Sequence, residues 1–379
     1  MRLVEYENLK ALNAPHAQEL QAAFQRVLES GWFILGKEVQ AFEEAFANFL
    51  EVPYFLGLAS GLDALELPLM ALDLPPQSEI IVPSNTYIAT INAIIRAGHV
   101  PIFAEPDLQS CNIDPKQIQA LISPKTKAVM VVHLYGNPCL MDQIVQICNQ
   151  NKLHLIEDCA QSHGATYQGK QTGTFCTQLN PDLHGAGAFS FYPTKNLGAL
   201  GDAGGIALCN EELYQKIKAL RNYGSHIKYH NEYVGANSRL DEVQAALLNV
   251  KLKYLPELTE HKQHLASIYK THLQKRFEIV QTPENAVGVY HIFAIKHPER
   301  DRLRTYLANN GIKTEIHYPI APADQNSLIK LASKGKFKLP EEQFQKSRLI
   351  HAQILSLPCS GIHTEDDIHH VIQIINNFT

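Results

Sequence analysis

Lys195 lies in a stretch of sequence that could make a lysine chemically reactive. It follows an apolar run at 188–191 and precedes four glycines between 198 and 205, so the pattern predicts a turn between two strands. A lysine amine forms an imine with an aldehyde when the amine is desolvated and held in position. The alternative is a solvated lysine in a surface loop, which is the commoner state of this residue type. The segment by itself leaves both interpretations open.

A second candidate is the carboxylate of Asp158, within the segment 153–164. The apolar residues before it predict a parallel strand, and ligands bind beyond the carboxyl ends of such strands in open α/β sheets. A carboxylate at that point can pair with a protonated pyridine nitrogen and keep the ring electron-poor. The alternative is an aspartate that caps the following helix, which is common at strand-to-helix turns.

A third candidate is the turn at 57–65, where small residues precede helical sequence. Ser60, Gly61 and Leu62 occupy the predicted start of that helix. Free backbone N–H groups at a helix start favour a bound phosphate. An ordinary left-handed turn explains the same residues equally well.

These three segments need a framework, and the pattern between residues 50 and 210 predicts one. Short apolar runs without polar alternation are separated by amphipathic stretches, which is typical of a parallel sheet covered by helices on both faces. Such α/β folds connect neighbouring parallel strands by right-handed crossovers. The predicted strands are 79–82, 100–104, 128–134, 153–156, 187–191 and 205–209, with predicted helices at 86–97 and 142–151.

The rest of the chain predicts a smaller domain of α+β type. Residues 239–272 contain few helix breakers and indicate a long helix that is interrupted or bent at Pro256. A chain of 379 residues is too long for one hydrophobic core, so we predict a large cofactor-binding domain at 1–250 and a small C-terminal domain at 251–379. The elements predicted there are strands at 289–295 and 314–318 and helices at 301–309 and 365–377.

Composition excludes several classes of protein. The net charge is −5 and the basic residues form no stripe, so nucleic acid is not an expected partner. No apolar run is long enough to span a membrane, and the N-terminal residues lack the apolar core of a signal peptide. We expect a soluble, cytoplasmic protein without a membrane partner.

Cysteine and histidine patterns do not indicate a metal site. The seven cysteines are an odd number without a C-x-x-C pair, which favours reduced thiols over a disulfide framework. There is no H-E-x-x-H motif, and the pairs His226/His230 and His369/His370 are expected on solvated loops and helices. We therefore predict no metal.

Taken in order along the chain, these segments resemble one family. The blocks F-S-F-Y-P-T-K-N-L-G at 189–198 and E-D-C-A-Q-S-H-G at 157–164 are similar to those of the DegT/DnrJ/EryC1/StrS sugar aminotransferases. The resemblance extends from 31–36 to 316–320. It implies a fold-type I architecture, with a mixed, mostly parallel sheet flanked by helices, and a homodimer with shared active sites. It also implies the cofactor pyridoxal 5′-phosphate, with pyridoxamine phosphate as an intermediate form.

The resemblance implies a role for each matching residue. Lys195 matches the lysine that holds the cofactor as a Schiff base, Asp158 the partner of the pyridine nitrogen, and Gln161 a contact to the ring hydroxyl. His163 lies beside the cofactor in the family pattern and joins Lys195 and Asp158 as an expected catalytic residue. The other implied cofactor contacts are Ser60, Gly61, Leu62 and Ser190 at the phosphate, Tyr87 stacked on the ring, and Asn237, which reaches the phosphate of the neighbouring subunit.

The implied reaction moves an amino group from L-glutamate to a nucleotide-linked keto-sugar. The segments 61–65, 221–230 and 317–319 resemble members that act at C-3 of a dTDP-3-keto-6-deoxyhexose, so that acceptor is the prediction. Arg221, His317 and Tyr318 are the expected substrate contacts. For His317 and Tyr318 the alternative is a pair that only packs at the end of a strand.

Other functions stay open at this point. One is a 4-aminotransferase acting on a nucleotide-linked 4-keto-6-deoxysugar, and another is a regulator that keeps the cofactor pocket without turnover. Lys195 argues against the related dehydratases, which have a histidine in its place. Ala323 stands where related members have a histidine, which weakens the prediction of the acceptor. An insertion at 176–184 either borders the substrate cleft or forms a surface loop.

Overall fold

The short β-rich runs of the sequence form the strands of this fold. The computed structural model describes residues 2–339 and 344–379. The strands are, in chain order, β1 (Tyr54–Leu58), β2 (Glu79–Pro83), β3 (Val100–Ala104), β4 (Thr126–Val132), β5 (His154–Asp158), β6 (Thr166–Tyr167), β7 (Lys170–Gln171), β8 (Gly185–Ser190), β9 (Gly204–Leu208), β10 (Ser225–Ile227), β11 (His230–Asn231), β12 (Glu278–Ile279), β13 (Ala286–Val287), β14 (Phe293–Lys296) and β15 (Ile354–Leu357).

Helices separate most of these strands. They are α1 (Leu9–Asn13), α2 (Ala17–Ser30), α3 (Lys37–Leu50), α4 (Gly61–Ala71), α5 (Ile88–Arg96), α6 (Pro115–Leu121), α7 (Met141–Asn151), α8 (Glu211–Leu220), α9 (Glu242–Leu252), α10 (Leu255–His272), α11 (Arg300–Asn309), α12 (Asn326–Ser333), α13 (Gln345–Gln353) and α14 (Glu365–Asn376). Among the residues described, no helix combines the length and the apolar character that crossing a membrane requires.

Seven strands form the central sheet, in the order β1-β9-β8-β5-β4-β2-β3. The five strands from β8 to β3 run parallel, and β9 is antiparallel to both of its neighbours. Along β2, Ile80 and Val82 pack in one apolar layer and Ile81 packs in the opposite one. Because both faces are buried, the strands show apolar runs without polar alternation. The predicted α/β fold with a mixed, mostly parallel sheet is confirmed.

Helices bury both faces of this sheet through their apolar stripes. On one face, α4, α5 and α8 contribute Leu65, Ile91 and Ile217. On the other face, α3 and α9 pack near β1 and β9 through Phe42 and Leu248, and α6 and α7 cover the remaining strands. The layers fix the carboxyl ends of the parallel strands at one edge of the sheet.

A second apolar core lies in the C-terminal part of the chain. Helices α10, α11 and α14 pack with the three-stranded sheet β12-β14-β15, and Tyr269, Leu303 and Val371 lie in that core. Val4 joins this core from the N-terminus, and Leu328 packs with the large sheet instead. The division at residue 250 therefore stays a prediction.

Three predicted elements differ from the structure, and one of them is the strand expected at 289–295, which begins only at Phe293. The long helix expected at 239–272 is the pair α9 and α10, and Pro256 lies in the first turn of α10, where an N–H group is not needed. The strand expected at 314–318 does not form, and only Glu315 makes a bridge, to Ser356. The Nδ1 atom of His317 forms a hydrogen bond with Ser356 Oγ. The carbonyl oxygen of His317 accepts a hydrogen bond from the Tyr135 hydroxyl. The segment thus contacts β15 at Ser356 without extending the sheet by a strand.

The prediction of reduced cysteines is wrong for one pair. Cys176 and Cys209 form a disulfide, although 33 residues separate them in sequence. Cys209 directly follows β9, Cys176 packs against Gly185 at the start of β8, and the antiparallel pairing of β8 with β9 brings these ends together. The other five cysteines are buried free thiols: Cys111, Cys139, Cys148, Cys159 and Cys359.

Candidate active site

The carboxyl ends of β5 and β8 place two predicted residues next to each other. Asp158 ends β5, Ser190 ends β8, and the two strands pair in parallel with Asp158 opposite Ala188. The chain then turns back into β9 through the segment that carries Lys195. This edge of the sheet is where open α/β folds bind ligands.

Asp158 is a buried carboxylate held in a fixed orientation. It is 6% exposed, Thr90 Oγ1 donates to its Oδ2 at 2.9 Å, and the Ala160 N–H donates to its Oδ1 at 3.1 Å. Burial raises the pKa of Asp158, whereas these two hydrogen bonds and the charge of Lys195 lower it. The carboxylate is thus desolvated and stabilised by a positive group. Thr90 lies on α5, and sequence reasoning missed it. Its hydroxyl also forms a hydrogen bond with the hydroxyl of Thr86, which precedes the helix.

Lys195 lies in a tight turn closed by backbone hydrogen bonds. Its own N–H donates to Tyr192 O, and Ala199 N–H donates to Phe191 O, both at 2.8 Å. Burial lowers the pKa of Lys195 to about 8, and the charge of Asp158 partly opposes this shift. A desolvated amine of this kind is a nucleophile and a base at neutral to mildly alkaline pH. The interpretation of Lys195 as a solvated loop lysine is therefore not favoured.

The lowered pKa of Lys195 predicts an alkaline rise in its reactivity. Because only the neutral amine attacks an aldehyde, the rate of reductive methylation of Lys195 in the cofactor-free protein should rise with pH and level off above about 8. An ordinary lysine would continue to gain reactivity up to about pH 10.4. Mass spectrometry of peptides, with the exposed lysines as internal references, measures both profiles. A Lys195 profile that coincides with these references would contradict the prediction.

The start of α4 and the end of β8 form a cradle of small residues. A Cβ atom on Gly61 would lie 2.6 Å from Ser190 Cβ, and one on Gly204 would lie 2.2 Å from the Ser60 carbonyl carbon. Ser60 caps α4, because its Oγ accepts from the Asp63 N–H at 3.2 Å. The first N–H groups of a helix have no acceptor within the helix, so they are available to an anion. The structure brings Ser60, Gly61 and Ser190 together at this cradle.

Leu62 lies on the same first turn of α4 but packs its side chain against the large core. Any contact of Leu62 with an anion is therefore limited to its backbone N–H group. The prediction of Leu62 as a cofactor contact stays a prediction in that form.

Tyrosine and glutamine side chains form one wall of the site. Gln161 is buried, its Oε1 accepts from the Tyr135 N–H at 2.6 Å, and its Nε2 donates to Tyr318 Oη at 3.1 Å. The ring of Tyr87, at the start of α5, lies 5.1 Å from the ring of Tyr318 between centroids. The wall thus joins four residues from segments far apart in sequence, namely Tyr87, Tyr135, Gln161 and, from the C-terminal part of the chain, Tyr318.

Three imidazoles lie close to the charge of Lys195. His163 is fully buried between the rings of Phe189 and Phe191, and burial together with Lys195 lowers its pKa to about 3. Burial and Lys195 also lower the pKa of His317 to about 4. Both rings are therefore neutral at pH 7. The catalytic role of His163 and the substrate role of His317 stay predictions.

His291 is the third imidazole, and sequence reasoning missed it. Burial lowers its pKa well below the ordinary value, and nearby positive groups, first Lys195 and then Lys262, lower it further. The residue precedes β14 in a stretch predicted to be strand, but there the backbone instead bonds to the loop after β4, with Ile292 N–H donating to Tyr135 O. The only signal in the sequence was a histidine at the start of an apolar run.

Asn237 precedes Ser238, whose Oγ accepts from the Ala59 N–H at 3.2 Å and donates to Asp63 Oδ2 at 2.8 Å at the start of α4. The Asn237 side chain is exposed, and its backbone forms a bridge with Asn222. The position fits a residue that acts on a neighbouring subunit, and this role stays a prediction.

The structure does not support Arg221 as a substrate contact. Arg221 is 4% exposed, and its guanidinium forms an ion pair with Glu43 and donates to Gly57 O at 2.8 Å. Glu43 also accepts from the Gly57 N–H at 2.8 Å. The group therefore joins α3, β1 and the end of α8 beneath the site. The resemblance of segment 221–230 had suggested substrate binding. The sequence does not show in which direction the Arg221 side chain points.

Replacement of Arg221 by methionine should destabilise the fold. Breaking a buried ion pair by removing one partner typically costs about 3–5 kcal/mol, because the other charge stays buried. Urea unfolding of Arg221→Met measures this loss. Lys216→Met is the matched control, since Lys216 pairs with the exposed Asp73 and such pairs contribute only about 0–1 kcal/mol. An unchanged unfolding free energy together with a raised KM for the sugar would restore the substrate role.

The inserted segment 176–184 packs away from this edge of the sheet. Gln178 O accepts from Asn149 Nδ2 at 3.0 Å, and the Asn180 N–H donates to Asn149 Oδ1 at 2.8 Å, so the segment lies against the end of α7. It precedes the start of β8, whereas the site lies at the end of that strand. The surface-loop interpretation is therefore the one that the structure supports.

Comparison with known proteins agrees with this geometry. The model of the DegT/DnrJ/EryC1/StrS aminotransferase family matches residues 15–376. A relative from Aneurinibacillus thermoaerophilus, named dTDP-3-amino-3,6-dideoxy-alpha-D-galactopyranose transaminase, is 43% identical over 99% of both chains.

Solved structures show the same fold over nearly the whole chain. S. venezuelae DesV in complex with a ketimine intermediate is 36% identical, covers 99% of this chain and 98% of its own, and has a TM-score of 0.92. The Bacillus subtilis protein NtdA with bound cofactor PMP is 31% identical, covers 98% of this chain and 86% of its own, and has a TM-score of 0.88. With this sequence match, this fold and this site, the chain belongs to the DegT/DnrJ/EryC1/StrS aminotransferase family.

Proposed function

We propose that the protein is a pyridoxal-phosphate-dependent aminotransferase that transfers the amino group of L-glutamate to a nucleotide-linked keto-sugar. The acceptor that we propose is a dTDP-3-keto-6-deoxyhexose, which becomes the 3-amino sugar. The observation that carries the proposal is a desolvated lysine, Lys195, held near the buried carboxylate of Asp158 at the ligand-binding edge of the sheet.

The residues present fit the cofactor at each of its chemical groups. The cradle at Gly61 and Ser190 leaves no room for a Cβ atom and offers free N–H groups to a phosphate. Asp158 is a buried carboxylate that would hold a protonated ring nitrogen, and Gln161 would reach the ring hydroxyl. Lys195 supplies the amine that links to an aldehyde.

When bound, the cofactor supplies an electron-poor ring that takes up the electron pair of the broken C–H bond. Once free of its link to the cofactor, Lys195 would move the proton, because its Nζ can accept it from Cα of the donor and pass it to the cofactor, and can make the reverse transfer to the sugar carbon in the second half of the reaction. Asp158 contributes a fixed negative charge that costs no reorganisation, since Thr90 and Ala160 already orient it. The neutral ring of His163 adds a water-excluding surface beside the lysine.

The choice of acceptor has two supports. The relative from A. thermoaerophilus, named as a dTDP-3-amino sugar transaminase, is similar along the full length of the chain. In addition, His317 and Tyr318 lie at the site and not at a distant surface, with Tyr318 Oη bonded to Gln161. A 4-keto-6-deoxysugar remains the alternative acceptor.

A panel of nucleotide keto-sugars tests the acceptor. The protein should form 2-oxoglutarate and an amino sugar from L-glutamate and the dTDP-3-keto-6-deoxyhexose, detected by mass spectrometry and by NMR of the C-3 proton. The dTDP-4-keto-6-deoxyhexose serves as the competing substrate in the same assay. Faster turnover of the 4-keto sugar would favour the 4-aminotransferase. Binding without turnover of any member would favour a regulator.

We also propose a homodimer in which each active site uses both subunits. Large apolar side chains lie exposed on one stretch of surface, with Trp32 63% exposed, and single monomers rarely leave such patches uncovered. The neighbouring residues of this patch are Phe24, Leu28, Phe33 and Ile34. The exposed Asn237 would then complete the site of the partner. The location in the cytoplasm stays a prediction from the sequence.

Mixed dimers test the shared sites. Lys195→Ala and Asn237→Ala homodimers should each be impaired, whereas a mixture refolded or co-expressed together should regain activity. In a two-fold symmetric dimer with shared sites, one site of the hybrid carries both substitutions and the other carries neither. Regained activity that requires hybrid formation supports the arrangement. Hybrids without any regained activity would place both residues in the same subunit's site.

A further inference from the structure

Lys262 is a buried lysine of α10 that the reaction outlined above does not use. It is 4% exposed, and its Nζ donates to Asn196 Oδ1 at 2.8 Å and to His291 O at 3.3 Å. Within residues 2–339 and 344–379 it forms no ion pair with a carboxylate. An ammonium group away from water is costly unless the surrounding structure compensates it, so its placement calls for a reason.

Both acceptors of Lys262 belong to the active site. Asn196 directly follows Lys195 in the tight turn, and its Nδ2 donates to Val289 O at 3.1 Å. His291 is the neutral imidazole near Lys195. Lys262 therefore joins three segments, namely α10, the Lys195 turn and the stretch 289–291 before β14. Its position in the middle of α10 makes it a rigid support.

The far half of the same turn is supported from α9. Leu200 N–H donates to Gln244 Oε1 at 2.9 Å, and Lys251 Nζ donates to Gly198 O at 2.5 Å. These contacts hold the part of the turn that leads into β9. Lys262 supports the part that carries the reactive amine. The two halves are thus fixed by side chains of two consecutive helices.

The charges around Lys262 agree with a supporting role. Burial lowers the pKa of Lys262, while the nearby Cys359 thiol and Glu7 raise it. Cys359 Sγ donates to the backbone carbonyl oxygen of Lys262 at 3.7 Å. Burial and the charges of Lys195 and Lys262 lower the pKa of His291, so its ring adds no further positive charge beside the Lys262 ammonium.

We propose that Lys262 is a positioning residue of the transamination reaction. It fixes the direction of the Lys195 amine by holding Asn196 and the His291 carbonyl against α10. This inference rests on the proposed function. Its chemical consequence is a defined path for the proton that Lys195 moves, and misplacing a reacting group by about 1 Å can cost about 100-fold in rate.

Lys262→Met tests this proposal, because methionine keeps the apolar stem and removes the ammonium. In the holoenzyme we expect kcat to fall by about 10- to 100-fold while KM for the sugar changes little. We also expect faster hydrogen exchange in the turn, where the N–H groups of Lys195 and Ala199 make backbone hydrogen bonds. Lys262→Arg should restore part of both losses.

Lys253→Met is the control, since Lys253 lies just before α10 and its exposed side chain pairs with Glu19 of α2. It should leave kcat and the exchange of the turn unchanged. Asn196→Ala removes the acceptor instead of the donor, and its effect should not add to that of Lys262→Met. This variant also decides the question if Lys262→Met does not fold.

Parental kcat and parental exchange of the turn in a folded Lys262→Met protein would overturn the proposal. Additive effects of Lys262→Met and Asn196→Ala would overturn it as well. If the parent protein performs no transamination, the proposed function fails. The exchange measurement then still judges Lys262, because it depends on the turn and not on turnover.

Discussion

Lys195→Ala is expected to abolish transamination, with kcat lowered by about 10⁴-fold or more. A positioned general acid–base alone contributes about 10²- to 10⁴-fold, and this substitution also removes the covalent link to the cofactor. The turn should keep its shape, because its hydrogen bonds involve backbone atoms at Tyr192 and Phe191 rather than the lysine side chain. The loss therefore belongs to chemistry and not to folding.

The visible absorption spectrum makes this result specific. The parent protein with pyridoxal phosphate should show a band of the covalently held cofactor, and L-glutamate should bleach it. In Lys195→Ala this band should be altered, whereas Lys253→Ala, at an exposed lysine between α9 and α10, should behave like the parent. A parental band that glutamate bleaches in Lys195→Ala would assign the role to another lysine.

Asp158→Asn is expected to produce the second largest loss, about 10²- to 10³-fold in kcat, which is typical of removing one preorganised electrostatic contact. The amide has the size of the carboxylate, its oxygen can still accept from the Ala160 N–H, and its NH2 group can donate to the Thr90 hydroxyl, so the local structure should persist. What disappears is the negative charge that would keep a ring nitrogen protonated. The rate should fall much more than the affinity for the sugar.

Steady-state kinetics with L-glutamate and the keto-sugar measures both quantities for this variant. Thr90→Ser is the appropriate control, since serine retains the hydroxyl that donates to Asp158 Oδ2. It should keep kcat within a few-fold of the parent. Equal losses in the two variants would assign the effect to disturbed packing around Asp158 and not to its charge.

The central sheet could be predicted because its signal is local. Each run such as 79–82 is apolar throughout, and the helices that separate the runs show their own periodicity, so neighbouring residues contain the information. The same holds for Asp158 and Lys195. A strand end and a glycine-rich turn are visible in a few consecutive residues, and they limit where the chain can place a ligand.

Other features depend on contacts between distant segments. Arg221 follows a helix in the sequence, and only packing against Glu43 on α3 shows that its charge is buried. His291 and Lys262 join the site because the C-terminal segments fold back onto the Lys195 turn. Cys176 and Cys209 form a disulfide since β8 and β9 pair antiparallel.

The sequence by itself therefore predicted the α/β framework and the family resemblance and, through that resemblance, Lys195 and Asp158 as candidate site residues. The tertiary structure decided which charged side chains face the site and which support it from behind. It also decided that residues 314–318 form no strand and that Tyr318 lies in the site wall. The reason is physical: burial and pairing of a polar group depend on residues brought near by packing, and no local pattern specifies them.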